Sequence, residues 1–84
     1  MARYMMATKA VHKLGDVSGE EPDLCSIHRE DKENYIGSWV LGIILNNVKF
    51  PKSTTRELTD EEKKEWHGKQ IWIGGRPRYT IYIK

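Results

Sequence analysis

With one cysteine, three prolines and one phenylalanine in 84 residues, the chain lacks the materials of several architectures. A single thiol, Cys25, cannot build a disulfide scaffold or a multi-cysteine zinc finger, and it suits a reducing compartment. Long apolar runs are missing too. The longest, Trp39-Val40-Leu41-Gly42-Ile43-Ile44-Leu45, falls far short of the ~20 residues a membrane helix needs, so it is expected to be a buried strand. Met1 to Met6 contains no apolar export core and is followed closely by Lys9 and Lys13, so a cytoplasmic location without membrane contact is expected. No internal repeat, low-complexity tract or Asn-x-Ser/Thr acceptor occurs, and the length fits one small domain spanning residues 1–84.

Excess charge of either sign is also missing: 14 Lys+Arg against 12 Asp+Glu give a net charge of +2, which by itself indicates no partner. The distribution is more telling. Residues 1–15 carry +3 and residues 66–84 carry +4, both without an acid. Residues 16–33 carry −5, residues 34–48 carry nothing, residues 49–56 carry +3 and residues 57–65 carry −3. Two basic termini thus flank a mostly acidic middle. If the termini became neighbouring strands, their charges would merge into one patch.

What is present points to an α+β domain, or a small half-open barrel, of about five short, mostly antiparallel strands with one short helix before a C-terminal hairpin. Arg3 to His12 mixes aromatic and β-branched residues with polar ones and is expected to be a strand. Residues 15–33, with two glycines, a proline and seven acids, are expected to form a long acidic loop, with a short element conceivable near Leu24 to Ile27. Tyr35 to Leu45 should give the central strand, with Gly37 and Gly42 as bulges or points of close backbone approach. Val48-Lys49-Phe50 continues the alternation and Pro51 stops it.

Thr59-Asp60-Glu61-Glu62 is a capping box, in which the Thr59 hydroxyl accepts from the Glu62 N–H and the Glu62 carboxylate accepts from the Thr59 N–H. A helix over about 60–67 follows, with Trp66 as its apolar anchor, Leu58 as a staple residue and Gly68 as a left-handed stop. Gln70 to Ile73 and Arg78 to Lys84, around Gly74-Gly75-Arg76-Pro77, form a hairpin. Placing Ile71 and Ile73 on one face with Tyr79, Ile81 and Ile83 requires an odd number of connecting residues, so a three- or five-residue loop is expected.

The opposite hairpin face then displays Trp72, Arg78, Thr80, Tyr82 and Lys84, with Arg76 at the turn. Aromatic faces stack bases or anchor proteins, and Arg and Lys neutralise phosphates or carboxylates. The alternative is that a second layer covers this face, because large aromatics are mainly core material. Cys25-Ser26-Ile27-His28 is weak as a zinc half-site or a nucleophile–base pair, because further ligands are scarce and neighbouring acids raise a thiol pKa. The acidic stretches lack EF-hand spacing, and Lys52-Ser53-Thr54-Thr55-Arg56 lacks the glycines of a phosphate loop.

The function expected from these features is non-enzymatic: a small binding module that contacts nucleic acid or an acidic protein surface through the hairpin, without cofactor or metal. A second expectation is a small regulatory or inhibitory protein of the kind that phages and mobile elements encode, holding a host protein with the acidic 16–33 segment. An enzyme using Cys25 with a histidine is a distant third. A C-terminal edge strand leaves either a monomer or an edge-paired homodimer open.

Overall fold

The computed structural model describes residues 3–40 and 47–83. In chain order the elements are β1 (Arg3–Ala10), β2 (Val17–Glu30), β3 (Asn34–Trp39), β4 (Val48–Pro51), a 3₁₀ turn (Lys52–Thr54), β5 (Thr55–Arg56), α1 (Asp60–Trp66), β6 (Gln70–Ile73) and β7 (Arg76–Thr80). The first five strands form an antiparallel sheet in the order β4-β3-β2-β1-β5, while β6 and β7 form a separate pair. The described residues are thus mostly sheet, with seven strands rather than about five and one short helix.

The large sheet curls into a half-barrel because β4, the 3₁₀ turn and β5 are one course of chain. It begins beside β3, with Val48 opposite Gly37, and ends beside β1, with Met6 opposite Arg56. Further along, Val11 and Lys49 exchange both backbone hydrogen bonds, at 2.8 and 3.0 Å, tying the end of β1 to β4. Such closure satisfies backbone groups that an open edge would leave to solvent.

Alternating side chains divide the apolar residues into two layers. Met5, Ala7, Ala10, Cys25, Ile27, Val48 and Phe50 fill the barrel, with Tyr35 and Trp39 packed against them. Trp39 meets Phe50 edge to face, with ring centroids 5.0 Å apart, a favoured aromatic geometry. On the outer face, Met6, Leu24 and Val40 pack with Leu58 and Trp66 around α1 and with Ile71 and Ile81 from the C-terminal region. Each fully buried aliphatic or aromatic side chain contributes roughly 1.5–3 kcal/mol relative to exposure, so this outer layer holds helix and hairpin on the barrel.

Local expectations hold where the signal is local. The capping box is complete: Glu62 N–H donates to the Thr59 hydroxyl at 3.2 Å and Thr59 N–H donates to the Glu62 carboxylate at 2.9 Å. Gly68 takes the left-handed conformation at φ 84, and Leu58 and Trp66 share the outer layer. At Gly37 a Cβ would lie 1.8 Å from the Ser26 carbonyl oxygen, so a close approach of β2 and β3 requires glycine there.

Two expectations need correction. Residues 15–33 are not a loop, because Val17–Glu30 forms β2, the middle strand of the large sheet, and buries Leu24, Cys25 and Ile27. The loop-like composition belongs to an irregularity in which Gly19 to Pro22 face only Thr8 of β1, between the pairs Lys9–Ser18 and Ala7–Asp23. Pro51 ends β4 as its last residue, as expected. The hairpin loop has two residues, since Ile73 pairs with Arg76 across Gly74-Gly75, both at positive φ (62 and 77), as a tight primed turn demands. The odd residue required by parity is supplied by an irregularity between the pairs Trp72–Pro77 and Ile71–Tyr79, which leaves Arg78 over. Of the expected strand Tyr35 to Leu45, Leu41 to Leu45, with the Gly42 bulge, lie outside the described residues.

Candidate functional site

The hairpin is anchored by one face and free on the other. Ile71 and Ile81 are buried, and Ile73 and Ile83 pack partly buried against the same layer. A second layer therefore does cover the hairpin, but on its isoleucine side. Trp72 remains 60% exposed and Tyr82 70% exposed. Arg76, Pro77 and Arg78 are exposed, and Thr80 is half-buried opposite Gln70. Lys84 lies outside the described residues.

The chain beyond β7 keeps following the segment before β6. Ile81 N–H donates to the Lys69 carbonyl at 2.9 Å, and Gly68 N–H donates to the Ile81 carbonyl at 2.7 Å. Ile83 N–H donates to Nδ1 of His67 at 2.9 Å. This pairing sets the Tyr82 ring against the His67 ring, with centroids 6.0 Å apart and planes at 73°. Lys69 places its ammonium 4.5 Å from the centre of the Trp66 ring, a cation–π contact, and forms no ion pair among the described residues.

Electrostatics separates the basic residues into two sets. Arg56 grips the Glu62 carboxylate with both terminal nitrogens, at 2.6 and 3.0 Å, and with the Thr59 N–H this holds the Glu62 carboxyl down to about 2. Arg3 contacts Glu57 and, at 4.0 Å, Glu30, while Lys52 meets Glu30 at 2.7 Å. The Lys52 ammonium in turn holds the Glu30 carboxyl below its ordinary value. Arg76 and Arg78 form no ion pair with any carboxylate among the described residues. All twelve acids of the chain lie among those residues, and none follows Glu65.

The basic termini do not become neighbouring strands. β1 is flanked by β2 and β5, and the hairpin belongs to the other sheet. The free cations of the hairpin thus stand apart from Arg3, whose charge is already matched. Two contributors escaped sequence reasoning. Tyr79, assigned above to the buried face, is 38% exposed, and partial burial beside Tyr4 raises its hydroxyl pKa. His67 joins the site only through the long-range pairing with Tyr82 and Ile83, which no local motif signals. The Gly-Gly pair signals a two-residue turn, and with parity it requires one irregularity in the hairpin, which the structure places at Arg78.

Cys25 occupies the barrel interior, where its thiol donates to the Met5 carbonyl at 3.3 Å. Burial pushes the thiol up to about 12, so it stays protonated at neutral pH, and His28 is exposed on the same strand. Among the described residues no group of three or more His, Cys, Asp or Glu is placed to hold a metal ion. No helix among them is long and apolar enough to cross a membrane. No family model, curated protein or solved structure matches the chain.

Proposed function

We propose that the protein is a non-enzymatic binding module whose C-terminal hairpin engages single-stranded nucleic acid. The observation that carries this reading is the joint exposure of Trp72 and Tyr82 on a hairpin that also exposes Arg76 and Arg78, which no carboxylate among the described residues neutralises. Exposed rings offer stacking platforms of any base sequence, and free guanidinium groups neutralise phosphates. Pro77 lacks an N–H, and charged residues flank it on the outer strand. This discourages pairing of β7 with a second copy and leaves the face to another partner.

The test is anisotropy of a labelled single-stranded oligonucleotide at low and moderate salt. Binding should weaken with salt, falling on a double-logarithmic plot with a slope of about −0.7 per phosphate contact. Trp72→Ala should cost ~5-fold or more, since stacking is worth roughly 1–3 kcal/mol per base. Absence of binding at low salt overturns the reading. Binding that needs Arg76 and Arg78 but not Trp72 points instead to charge recognition, as on an acidic protein surface.

A second reading rests on a separate observation. Val17 to Glu21 are all exposed, and Asp16, Glu20, Glu21 and Asp23 form no ion pair among the described residues. This acidic projection suits a basic protein partner, as in a small phage-type regulator that occludes a host protein. Glu20→Gln with Glu21→Gln should then abolish a salt-sensitive complex while leaving oligonucleotide binding unchanged.

A further inference from the structure

The half-barrel holds a second cationic site, away from the ion-paired Arg3, Lys52 and Arg56. Where β1 leaves β2 and bridges to β4, a cavity of about 440 Å³ is lined by Val11, His12, Lys13, Asn47 and Lys49. The reciprocal backbone bonds between Val11 and Lys49 tie two of its lining residues together. Asn47 enters β4 at φ 61, a left-handed conformation that asparagine tolerates better than most residues. His12 accepts the Leu14 N–H on Nδ1 at 3.2 Å, which leaves Nε2 to carry the ring proton and act as donor.

Among the described residues, each polar side chain lining the cavity therefore has an N–H to offer: two ammonium groups, an imidazole N–H and an amide. Neither Lys13 nor Lys49 forms an ion pair among the described residues. The acid that feels Lys49 is Asp31, and its carboxylate is already engaged by the backbone N–H groups of Glu33 and Asn34, at 2.9 and 2.7 Å. Converging donors, two positive charges and a volume within the ~300–1,000 Å³ range of small-molecule sites match a compact multi-oxygen anion.

We propose that this cavity binds a phosphate monoester through Lys13, Lys49, His12 and Asn47. Its source is either a free phosphorylated metabolite or the terminal phosphate of a nucleic acid. Inorganic phosphate, titrated into the full chain, should shift the NMR signals of His12, Lys13, Asn47 and Lys49, with half-saturation near ~1 mM as expected for so small a ligand. Lys13→Gln with Lys49→Gln should weaken this by roughly tenfold or more, because both charge-assisted bonds are lost. A 5′-phosphorylated oligonucleotide that perturbs these residues in the Trp72→Ala variant, where its 5′-hydroxyl counterpart does not, identifies a nucleic-acid end. A nucleoside monophosphate that binds while both oligonucleotides leave the cavity unperturbed identifies a metabolite. The Trp72→Ala background separates this site from the hairpin, so either can fail alone. No shifts at phosphate far above millimolar, or shifts unchanged by the double lysine variant, overturn the proposal.

Discussion

Gly37→Ala tests the half-barrel at its tightest point. The new Cβ would lie 1.8 Å from the Ser26 carbonyl oxygen, 2.8 Å from the Ser26 carbonyl carbon and 3.0 Å from the Ile27 Cα. A comfortable carbon–oxygen contact needs ~3.3 Å, so the overlap is roughly 1.5 Å. All three obstructing atoms are backbone of β2, which cannot rotate aside like the end of a long side chain. Relief therefore requires β3 to separate from β2 around the pair Ile27–Gly37. Losing about two ladder hydrogen bonds at ~1 kcal/mol each, with the loosened packing of a bent strand, puts the cost near 3–5 kcal/mol. An 84-residue chain has only ~4–12 kcal/mol of stability in total. Melting should therefore fall by about 12–40 °C, at roughly 4–8 °C per kcal/mol. Thermal denaturation followed by circular dichroism reads this directly. Gly19→Ala is the control, because its Cβ would meet only the Glu21 carbonyl oxygen at 3.8 Å, and it should stay within ~0.5 kcal/mol of the parent. A Gly37→Ala protein that melts within a few degrees of the parent would refute the close approach of β2 and β3.

The helix start gives a pH-dependent outcome. Glu62 is held down to about 2, against an ordinary 4.5, so its stabilisation is fully present above the ordinary carboxylate range and lost as pH falls towards 2. Thr59→Ala removes the reciprocal cap and should cost ~1 kcal/mol in urea denaturation at neutral pH. Cys25 should resist a thiol reagent in the native protein and react readily in denaturant, because its thiol is buried and pushed up to about 12; rapid native labelling would contradict the barrel packing. Trp66→Ala should destabilise by ~3–5 kcal/mol, as for other large-to-small core changes, whereas Trp72→Ala should stay within ~0.5 kcal/mol. Equal losses would mean that Trp72 is not exposed as described.

Much of the fold was legible where the deciding contacts are close in sequence. The capping box spans three residues, and the Gly68 stop follows directly from the helix it ends. The Gly-Gly turn is equally local. β2 was illegible for another reason. Gly19 to Pro22 face a single residue of β1, so this half of the strand shows no alternation, and its membership in the sheet comes from the pairing of Val17 and Ser18 with Ala10 and Lys9. That Trp72 shares a hairpin face with Thr80 and Tyr82 was legible from period-2 alternation, whereas the place of Arg78, in the irregularity, and whether the face was covered were not. Coverage depended on Met6 and Leu24 accepting Ile71 and Ile81, which left Trp72 outward.

The amino-acid order alone determined that both ends of the chain are basic and free of acids, that a helix begins after Thr59, and that Trp72 and Tyr82 share a stretch with Arg76 and Arg78. Only the tertiary structure decided which cations remain available. Arg3 and Lys52 reach Glu57 and Glu30 through strand closure, while Arg76, Arg78, Lys13 and Lys49 meet no such partner among the described residues. Ion pairs act over a few ångströms, and in a curled sheet that distance is set by which strands adjoin rather than by how far apart two residues stand along the chain.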